Sequence, residues 1–553
     1  MPQLRTSTAA DALVDGLLAQ GVRIAFAVAG ESYLPVLDAL YAVRERLRLV
    51  TCRHEANAAN MAEATGKLTG RPGVCLVTRG PGALHAAIAL HTADQDGTPL
   101  LLLVGQVDRR DRGRGAFQEL DLGAVFGSIA KAVIDVGAAT DIGPALDRAY
   151  RLSLEGRPGP VVIGLPEDLL TESAGHPLPV RYDPPPQEPP PAAVAAVLAA
   201  LGEAKRPLLW LGGSPWSDAG TRAVAEFARA WKLPVVTGFR RRDLFPNTDP
   251  HYVGELGFAV SPTLLTALHD ADLLLAIGAE LGDVETGGYE RLDPAGTATR
   301  LCHFPSRDAD LGRVFPPRLG GAVSPDALAR ALARAPVASA PSWDGWRQWL
   351  RAGYLATLAP LPVQGAVNLS DVFLQLRQRL PLDSIVTNGA GNYAAWLHRF
   401  FRHDLYGTQL APRSGAMGYG LPAGIAAALQ HPDRRVVTVA GDGCFAMAQA
   451  DLITAATLRC RLLVLVVNNG SFGTIRMHQE ARFPGRVHGT DLTNPCFVAL
   501  AGASGIPGRR VVATAEFPAA LHEALATDGP YLIELVTDIR DIAPGRTLPA
   551  GQR

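Results

Sequence analysis

The sequence predicts an α/β protein built as three doubly wound, parallel-sheet domains. Three observations carry this. Short apolar runs of strand length alternate with Ala-rich stretches of helix length along the 553 residues, the pattern of parallel strands joined by helical crossovers. Two proline-rich stretches interrupt the alternation, Pro184–Pro191 and residues of about 335–364; such stretches are stiff and cannot join a sheet. Several apolar runs stop at glycine loops, and open α/β sheets bind ligands beyond the carboxyl ends of their strands. The domains expected from these breaks span 1–180, 192–335 and 365–553, each long enough for its own core.

In the first domain the expected strands are Ile24–Val28, Val74–Thr78, Leu100–Val104 and Val161–Leu165, and Arg79-Gly80-Pro81-Gly82 follows the second of them. In the second domain they are Leu208–Leu211, which runs into Gly212-Gly213, then Val235–Thr237 and Leu273–Ile277. In the third, Ser384–Thr387 leads towards Gly389-Ala390-Gly391, and Val436–Ala440 leads into Gly441-Asp442-Gly443. Leu462–Val467 then runs into Asn468-Asn469-Gly470, and Tyr531–Leu535 is the last strand. Helices are expected over Ala446–Thr457 and, inside the second proline-rich stretch, over Trp343–Thr357.

Composition excludes several classes. Lys+Arg is 52 and Asp+Glu 53, a formal net charge of −1. Nucleic acids and anionic membranes both call for a basic face, so neither is an expected partner. Hydrophobic residues are 48% and charged residues 19%, too apolar for a disordered chain. No apolar run nears the roughly 18–20 residues of a membrane span. Residues Met1–Gly21 lack the ordered parts of a secretory signal. The cysteines (Cys52, Cys75, Cys302, Cys444, Cys460 and Cys496) are scattered, with no Cys-x-x-Cys pair, as expected of a cytoplasmic chain.

The strongest chemical signal lies in the third domain. Strand, Gly441-Asp442-Gly443, helix, strand, Asn468-Asn469-Gly470 is a βαβ unit. A right-handed crossover brings both loops to one sheet edge. Asp442 offers a charged oxygen, Asn469 a neutral one, and Gly443 lets a backbone N–H approach a phosphate. Such oxygens, with diphosphate and water, suit Mg²⁺. Either loop alone is most often a turn. Both at the two ends of one βαβ unit are far less often a coincidence.

These residues resemble the thiamine diphosphate-dependent enzymes, whose Gly-Asp-Gly…Asn-Asn signature they match. The likeness covers nearly the whole chain and looks most like the acetolactate synthase large (catalytic) subunits. Pyruvate oxidase and 2-hydroxyacyl lyases are cousins. Further matches are Arg53-His54-Glu55, Gly80-Pro81-Gly82, Ala116-Phe117-Gln118-Glu119, Gly156-Arg157-Pro158-Gly159-Pro160 and Gly415-Ala416-Met417-Gly418-Tyr419-Gly420. The resemblance implies a pyrimidine-binding, a central and a diphosphate-binding domain, in that order. It implies that Asp442, the Asn469 side chain and the Ser471 carbonyl ligate Mg²⁺. Pro81, Gly391, Asn392, Gly415, Gly443, Cys444 and Phe472 become candidate cofactor contacts.

Glu55 stands where the family has the carboxylate that hydrogen-bonds the pyrimidine N1′ and favours its imino tautomer. Taken alone it is a first-turn glutamate, favourable against the helix dipole. Met417 matches the bulky residue that keeps the cofactor bent; by itself it reads as a core gap filler.

Departures from the synthases bear on substrate. Arg79 replaces a small residue, and a buried guanidinium calls for an anion. It is expected to meet either a substrate carboxylate or an internal acid. Gln118 matches a pocket glutamine. His478 stands where biosynthetic synthases carry a tryptophan, and reads either as a proton-moving group or as an exposed helix histidine. Glu280 replaces the arginine of synthases that carry FAD, so FAD is not expected. His54, His85 and His91 do not form the paired histidines of the pyruvate decarboxylases.

The resemblance thus implies a Mg²⁺- and thiamine diphosphate-dependent lyase or carboligase acting on a 2-keto acid. Decarboxylation would give an enamine that is protonated or adds to a second carbonyl. Aldehyde, acyloin or 2-hydroxyacyl-CoA lyase chemistry is the alternative. An FAD-linked pyruvate oxidase and a non-catalytic cofactor-binding subunit fit less well. Family members pair the outer domains across subunits, which implies a homodimer or homotetramer with interfacial active sites.

Overall fold

A computed structural model describes residues 7–175, 180–185, 188–337 and 341–548. Pro186 and Gln187 of the first proline-rich stretch, and residues 338–340 of the second, lie outside the described residues. The α/β expectation holds: the described residues form three six-stranded sheets, every pairing in them parallel.

The first sheet comprises β1 (Ile24–Ala27), β2 (Arg48–Thr51), β3 (Gly73–Val77), β4 (Leu100–Gln106), β5 (Ala132–Asp135) and β6 (Pro160–Pro166), ordered β2-β1-β3-β4-β6-β5. The second comprises β7 (Pro207–Leu211), β8 (Val235–Thr237), β9 (Tyr252–Glu255), β10 (Leu273–Ile277), β11 (Leu301–Phe304) and β12 (Leu319–Gly320), ordered β12-β11-β10-β7-β8-β9. The third comprises β13 (Ile385–Asn388), β14 (Gln409–Leu410), β15 (Val436–Gly441), β16 (Leu462–Asn468), β17 (Gly508–Val511) and β18 (Tyr531–Val536), ordered β14-β13-β15-β16-β18-β17. In each sheet the strand order reverses beside the first strand, which leaves a crevice at the carboxyl edge there.

Two compact units form. One holds the described residues of 1–185 with 425–430 and 448–458; the other holds those of 186–424, 431–447 and 459–553, and so contains both the second and third sheets. In the first unit the Glu55–Thr69 helix lies directly on β3. A Cβ at Gly73 would come within 1.8 Å of the Ala62 carbonyl oxygen, so glycine permits the approach that seats this helix. In the second unit β15 and the apolar part of β16 are buried throughout. Their Val and Leu side chains each contribute about 1.5–3 kcal/mol by leaving water.

One expected helix is corrected. Ala446–Thr457 is not continuous: a helix begins at Asp442 and ends at Ala446, a 3₁₀ turn covers Gln449–Asp451, and a second helix covers Leu452–Thr457. The break turns Asp451 inward, where its carboxylate is fully buried and accepts from the Arg53 N–H, Asn57 Nδ2 and Thr454 Oγ1. The helix within the second proline-rich stretch is present as Asp344–Ala356. Among the described residues no helix is long and apolar enough to cross a membrane.

Candidate active site

At the carboxyl edge of the third sheet lies a cavity of about 250 Å³. Its lining includes Gly391, Asn392, Gly415, Met417, Asp442, Gly443, Cys444, Asn469, Ser471 and Phe472. Three helices start at this cavity: Asn392–Phe400, Asp442–Ala446 and Gly473–Arg482. Their first N–H groups have no intrahelical acceptor, and their dipoles favour an anion. A Cβ on Gly443 would meet the Phe472 ring at 2.5 Å, and one on Gly441 the Tyr393 ring at 2.8 Å. Both glycines therefore keep the backbone bare against an aromatic wall. Tyr393 donates its hydroxyl hydrogen to Cys444 Sγ at 3.2 Å and accepts the Gly389 N–H at 3.1 Å.

The oxygens expected to bind a metal are held by a hydrogen-bond lattice. Asp442 Oδ1 accepts the Gly443 N–H at 2.9 Å, and Oδ2 accepts the Gly470 N–H and Asn494 Nδ2, both at 2.8 Å. Burial pushes the Asp442 carboxyl up from its ordinary value, and those donors pull against it. Asn469 Oδ1 accepts the Ser471 N–H at 3.1 Å, and the Ser471 carbonyl accepts the Gly473 N–H at 2.8 Å. Each of these two oxygens keeps a further lone pair. Asn494 also donates to Asn468 Oδ1 at 3.0 Å, and Asn468 in turn donates to the buried Glu534 at 2.8 Å. Asn494 lies far from the motif in sequence, in irregular chain, and carries no signal that would single it out. Trp396, Thr474 and Ile475 also line the cavity without having been anticipated.

The first unit contains Glu55 as the first residue of the Glu55–Thr69 helix. His54 caps that helix, its Nδ1 accepting the Ala56 N–H at 3.1 Å. Glu55 Oε2 lies 2.8 Å from His85 Nδ1, and a Cβ on Gly82 would lie 3.5 Å from Oε1. Pro81 sits in the first turn of the Gly80–Asp96 helix that carries His85.

The candidate substrate residues fall differently. The anion beside Arg79 is Glu167, an ion pair within the first unit, so the internal-acid alternative is the arrangement present. Gln118 has a left-handed backbone (φ 64°), and its carbonyl accepts the Gly80 N–H at 2.9 Å. The loop is thereby tied to the start of the Gly80–Asp96 helix. His478 is exposed and does not line the cavity; it lies one helical turn beyond Thr474, which does. Of its two readings, the exposed helix histidine is the arrangement present. Glu280 meets Arg413 at 3.2 Å, and Arg413 also approaches the buried Glu285 at 3.6 Å. Burial raises Glu285 while Arg413 opposes the shift.

Fold and cavity together define a class: a three-sheet parallel α/β protein with an anion-suited, oxygen-lined pocket at the edge of its last sheet. Residues 7–125, 194–332 and 389–535 match the family models described as thiamine pyrophosphate enzyme N-terminal TPP binding domain, central domain and C-terminal TPP binding domain. The chain belongs to the thiamine pyrophosphate (thiamine diphosphate) enzyme family. It is 32% identical over 550 residues to the acetolactate synthase large subunit of Parasynechococcus marenigrum, covering 96% of this chain and 88% of that one. It is 30% identical to the corresponding subunit of Corynebacterium glutamicum over 96% of this chain and 86% of that one. It is also 30% identical to the acetolactate synthase isozyme 2 large subunit of Escherichia coli, over 95% of each chain.

Proposed function

We propose that this protein is a Mg²⁺- and thiamine diphosphate-dependent lyase or carboligase acting on a 2-keto acid, of the acetolactate synthase type, working in the cytoplasm. The observation that carries the reading is the convergence of the expected diphosphate and metal residues on one cavity where three helices begin. The residues fit the group. Asp442, Asn469 and the Ser471 carbonyl offer hard oxygens suited to Mg²⁺, and the helix N-termini suit a diphosphate.

Thiamine diphosphate, when bound, supplies the electron sink for the carbanion formed as a bond to the keto carbon breaks. The protein's part is to bind, orient and move protons. Gly391, Asn392, Gly443 and Cys444 present backbone or side-chain donors towards the diphosphate. Met417 and Phe472 give apolar surface, and Pro81 lines the pyrimidine side. Glu55 holds a proton against the pyrimidine N1′. Apolar Val467, Ile475 and Ile542 in the lining exclude water. Gln118 is proposed to reach a substrate oxygen.

The pyrimidine-binding role belongs to the first sheet and the diphosphate-binding role to the third. By likeness to the family, we propose that these halves pair across subunits in at least a homodimer. A strictly monomeric active species in light scattering would refute that pairing.

The test is purified protein with thiamine diphosphate, Mg²⁺ and pyruvate, followed by proton NMR. Pyruvate loss with formation of acetolactate is expected. Glu55→Gln should lower the rate by about 10²–10⁴ while the fold is retained. Pyruvate left untouched by protein that binds the cofactor would overturn pyruvate as donor and direct the assay to acyloin and 2-hydroxyacyl-CoA cleavage.

A further inference from the structure

β18 is buried at every position but its last, yet it carries an acid, Glu534, which is 1% exposed. The parallel register sets Glu534 beside Val466 and Val536 beside Asn468, so Glu534 and Asn468 are diagonal neighbours on one face of the sheet. Asn468 Nδ2 donates to Glu534 Oε1 at 2.8 Å. The other contact of Oε1, Arg510 Nε at 3.7 Å, comes from a side chain that is 56% exposed and is weak. A buried polar group costs free energy unless it is hydrogen-bonded, so the bond to Asn468 is what accommodates the acid in this strand. From Asn468 the bonds run on to the candidate metal site with one polarity. Asn468 Oδ1 accepts the Gly470 N–H at 3.2 Å and Asn494 Nδ2 at 3.0 Å. Asn494 Nδ2 uses its second hydrogen on Asp442 Oδ2 at 2.8 Å. Oδ2 also takes the Gly470 N–H, which fills its two lone pairs, whereas Oδ1 has the Gly443 N–H and one lone pair more. Were the Asn468 amide turned over, its Nδ2 would face two donors, the Gly470 N–H and Asn494 Nδ2, and its Oδ1 would face an oxygen of Glu534. An acceptor at position 534 therefore sets the direction of the chain of bonds that ends at Asp442.

We propose that Glu534 is a positioning residue for the metal-binding carboxylate of Asp442, acting through Asn468 and Asn494, an inference that rests on the cofactor reading above. Glu534 is not among the residues that line the cavity. Its Oε1 holds the Asn468 amide, that amide holds Asn494, and Asn494 keeps Asp442 Oδ2 engaged. Oδ1 is then the oxygen with a lone pair left for a cation.

The test measures Mg²⁺ affinity of the full chain by titration calorimetry at saturating thiamine diphosphate, with no substrate present. Thermal unfolding of the metal-free protein checks the fold of each variant. Glu534→Leu fills a similar space without an acceptor and should bind Mg²⁺ about tenfold or more weakly. Glu534→Gln keeps an acceptor oxygen for Asn468 and should stay within about threefold of wild type. Its amide nitrogen would take the place of Oε2, which has no hydrogen-bond partner among the described residues, so the cost of that change falls on the melting temperature. Asn494→Ala cuts the chain nearer the site and should weaken Mg²⁺ binding about as much as Glu534→Leu. The double variant Glu534→Leu/Asn494→Ala should bind no more weakly than the weaker single variant, since both substitutions break one chain. Wild-type affinity in Glu534→Leu, equal losses in Glu534→Gln and Glu534→Leu, or losses that multiply in the double variant overturn the proposal. Should Glu534→Leu not fold, the other two decide: a loss in Asn494→Ala with Glu534→Gln spared upholds the proposal, and any other result overturns it. Should wild type bind no thiamine diphosphate, or bind it without need of Mg²⁺, the cofactor reading itself fails. Should wild type need Mg²⁺ while the variants match it, only the role of Glu534 fails.

Discussion

At Gly443 a single hydrogen in place of a methyl group keeps the pocket open. An added Cβ would lie 2.5 Å from the Phe472 ring and 3.1 Å from Leu492. Gly443→Ala should therefore push Phe472 across the cavity. Thiamine diphosphate affinity should fall about tenfold or more while the melting temperature changes little, since the ring has space to move into; titration calorimetry and thermal unfolding separate the two effects. Arg79 makes the opposite case. It is already paired with the partly exposed Glu167, so Arg79→Gln should cost no more than about 1 kcal/mol and leave KM for a 2-keto acid unchanged. A rise in KM would restore Arg79 as a substrate ligand. That Asp442 and Asn469 meet at one cavity was legible in the sequence because each sits in a short contiguous motif. Asn494 was not, because what joins it to the site is a hydrogen bond to Asp442 across a long stretch of chain. For His478 the sequence left two readings open, because sequence position fixes the helix but not how far the cavity reaches along it.

At the scale of elements, the start of the Glu55–Thr69 helix depends on a buried carboxylate. Asp451 binds the residues on both sides of Glu55, taking the Arg53 N–H at 2.9 Å and Asn57 Nδ2 at 2.6 Å. Asp451→Ala would leave these donors and Thr454 Oγ1 without that acceptor. A loss of about 3 kcal/mol in urea unfolding is expected, and an unchanged midpoint would contradict the arrangement. The 3₁₀ turn that delivers Asp451 was hidden from the sequence, since Ala446–Thr457 has continuous helix propensity and only the tertiary partners of Asp451 break it. Most inner strands were legible as apolar runs because they are buried on both faces, as β4 and β6 are throughout; β11, inner and buried but only Leu301–Phe304, was not among the expected strands. The edge strands were not. β2 and β17 each have a single buried position and include arginines, a pattern that reads as loop when taken alone.

Over the whole molecule, the three-sheet architecture followed from alternation and proline breaks, whereas the burial of ionisable groups did not. His303, His398 and His403 all lie in the second unit, and burial lowers each below its ordinary value. His303 and His398 each use Nε2 towards an oxygen, Ala279 O at 2.8 Å and Asn388 Oδ1 at 3.1 Å. All three are neutral in the folded protein near pH 7. Below about pH 6.5 the unfolded chain takes up protons that these sites refuse, so stability should fall as pH falls from about 7 towards 5. Each group adds up to about 1.4 kcal/mol per pH unit to the slope. Urea unfolding across that range checks it, and a flat profile would mean that the histidines are protonated when folded. The most direct test of the site is calorimetric titration of thiamine diphosphate into metal-free protein, with and without Mg²⁺, for wild type and Asp442→Ala. Saturable binding that requires Mg²⁺ and weakens about 100-fold or more in Asp442→Ala is predicted. Binding indifferent to Mg²⁺, or equally tight in Asp442→Ala, would contradict the assignment of this cavity as the diphosphate and metal site.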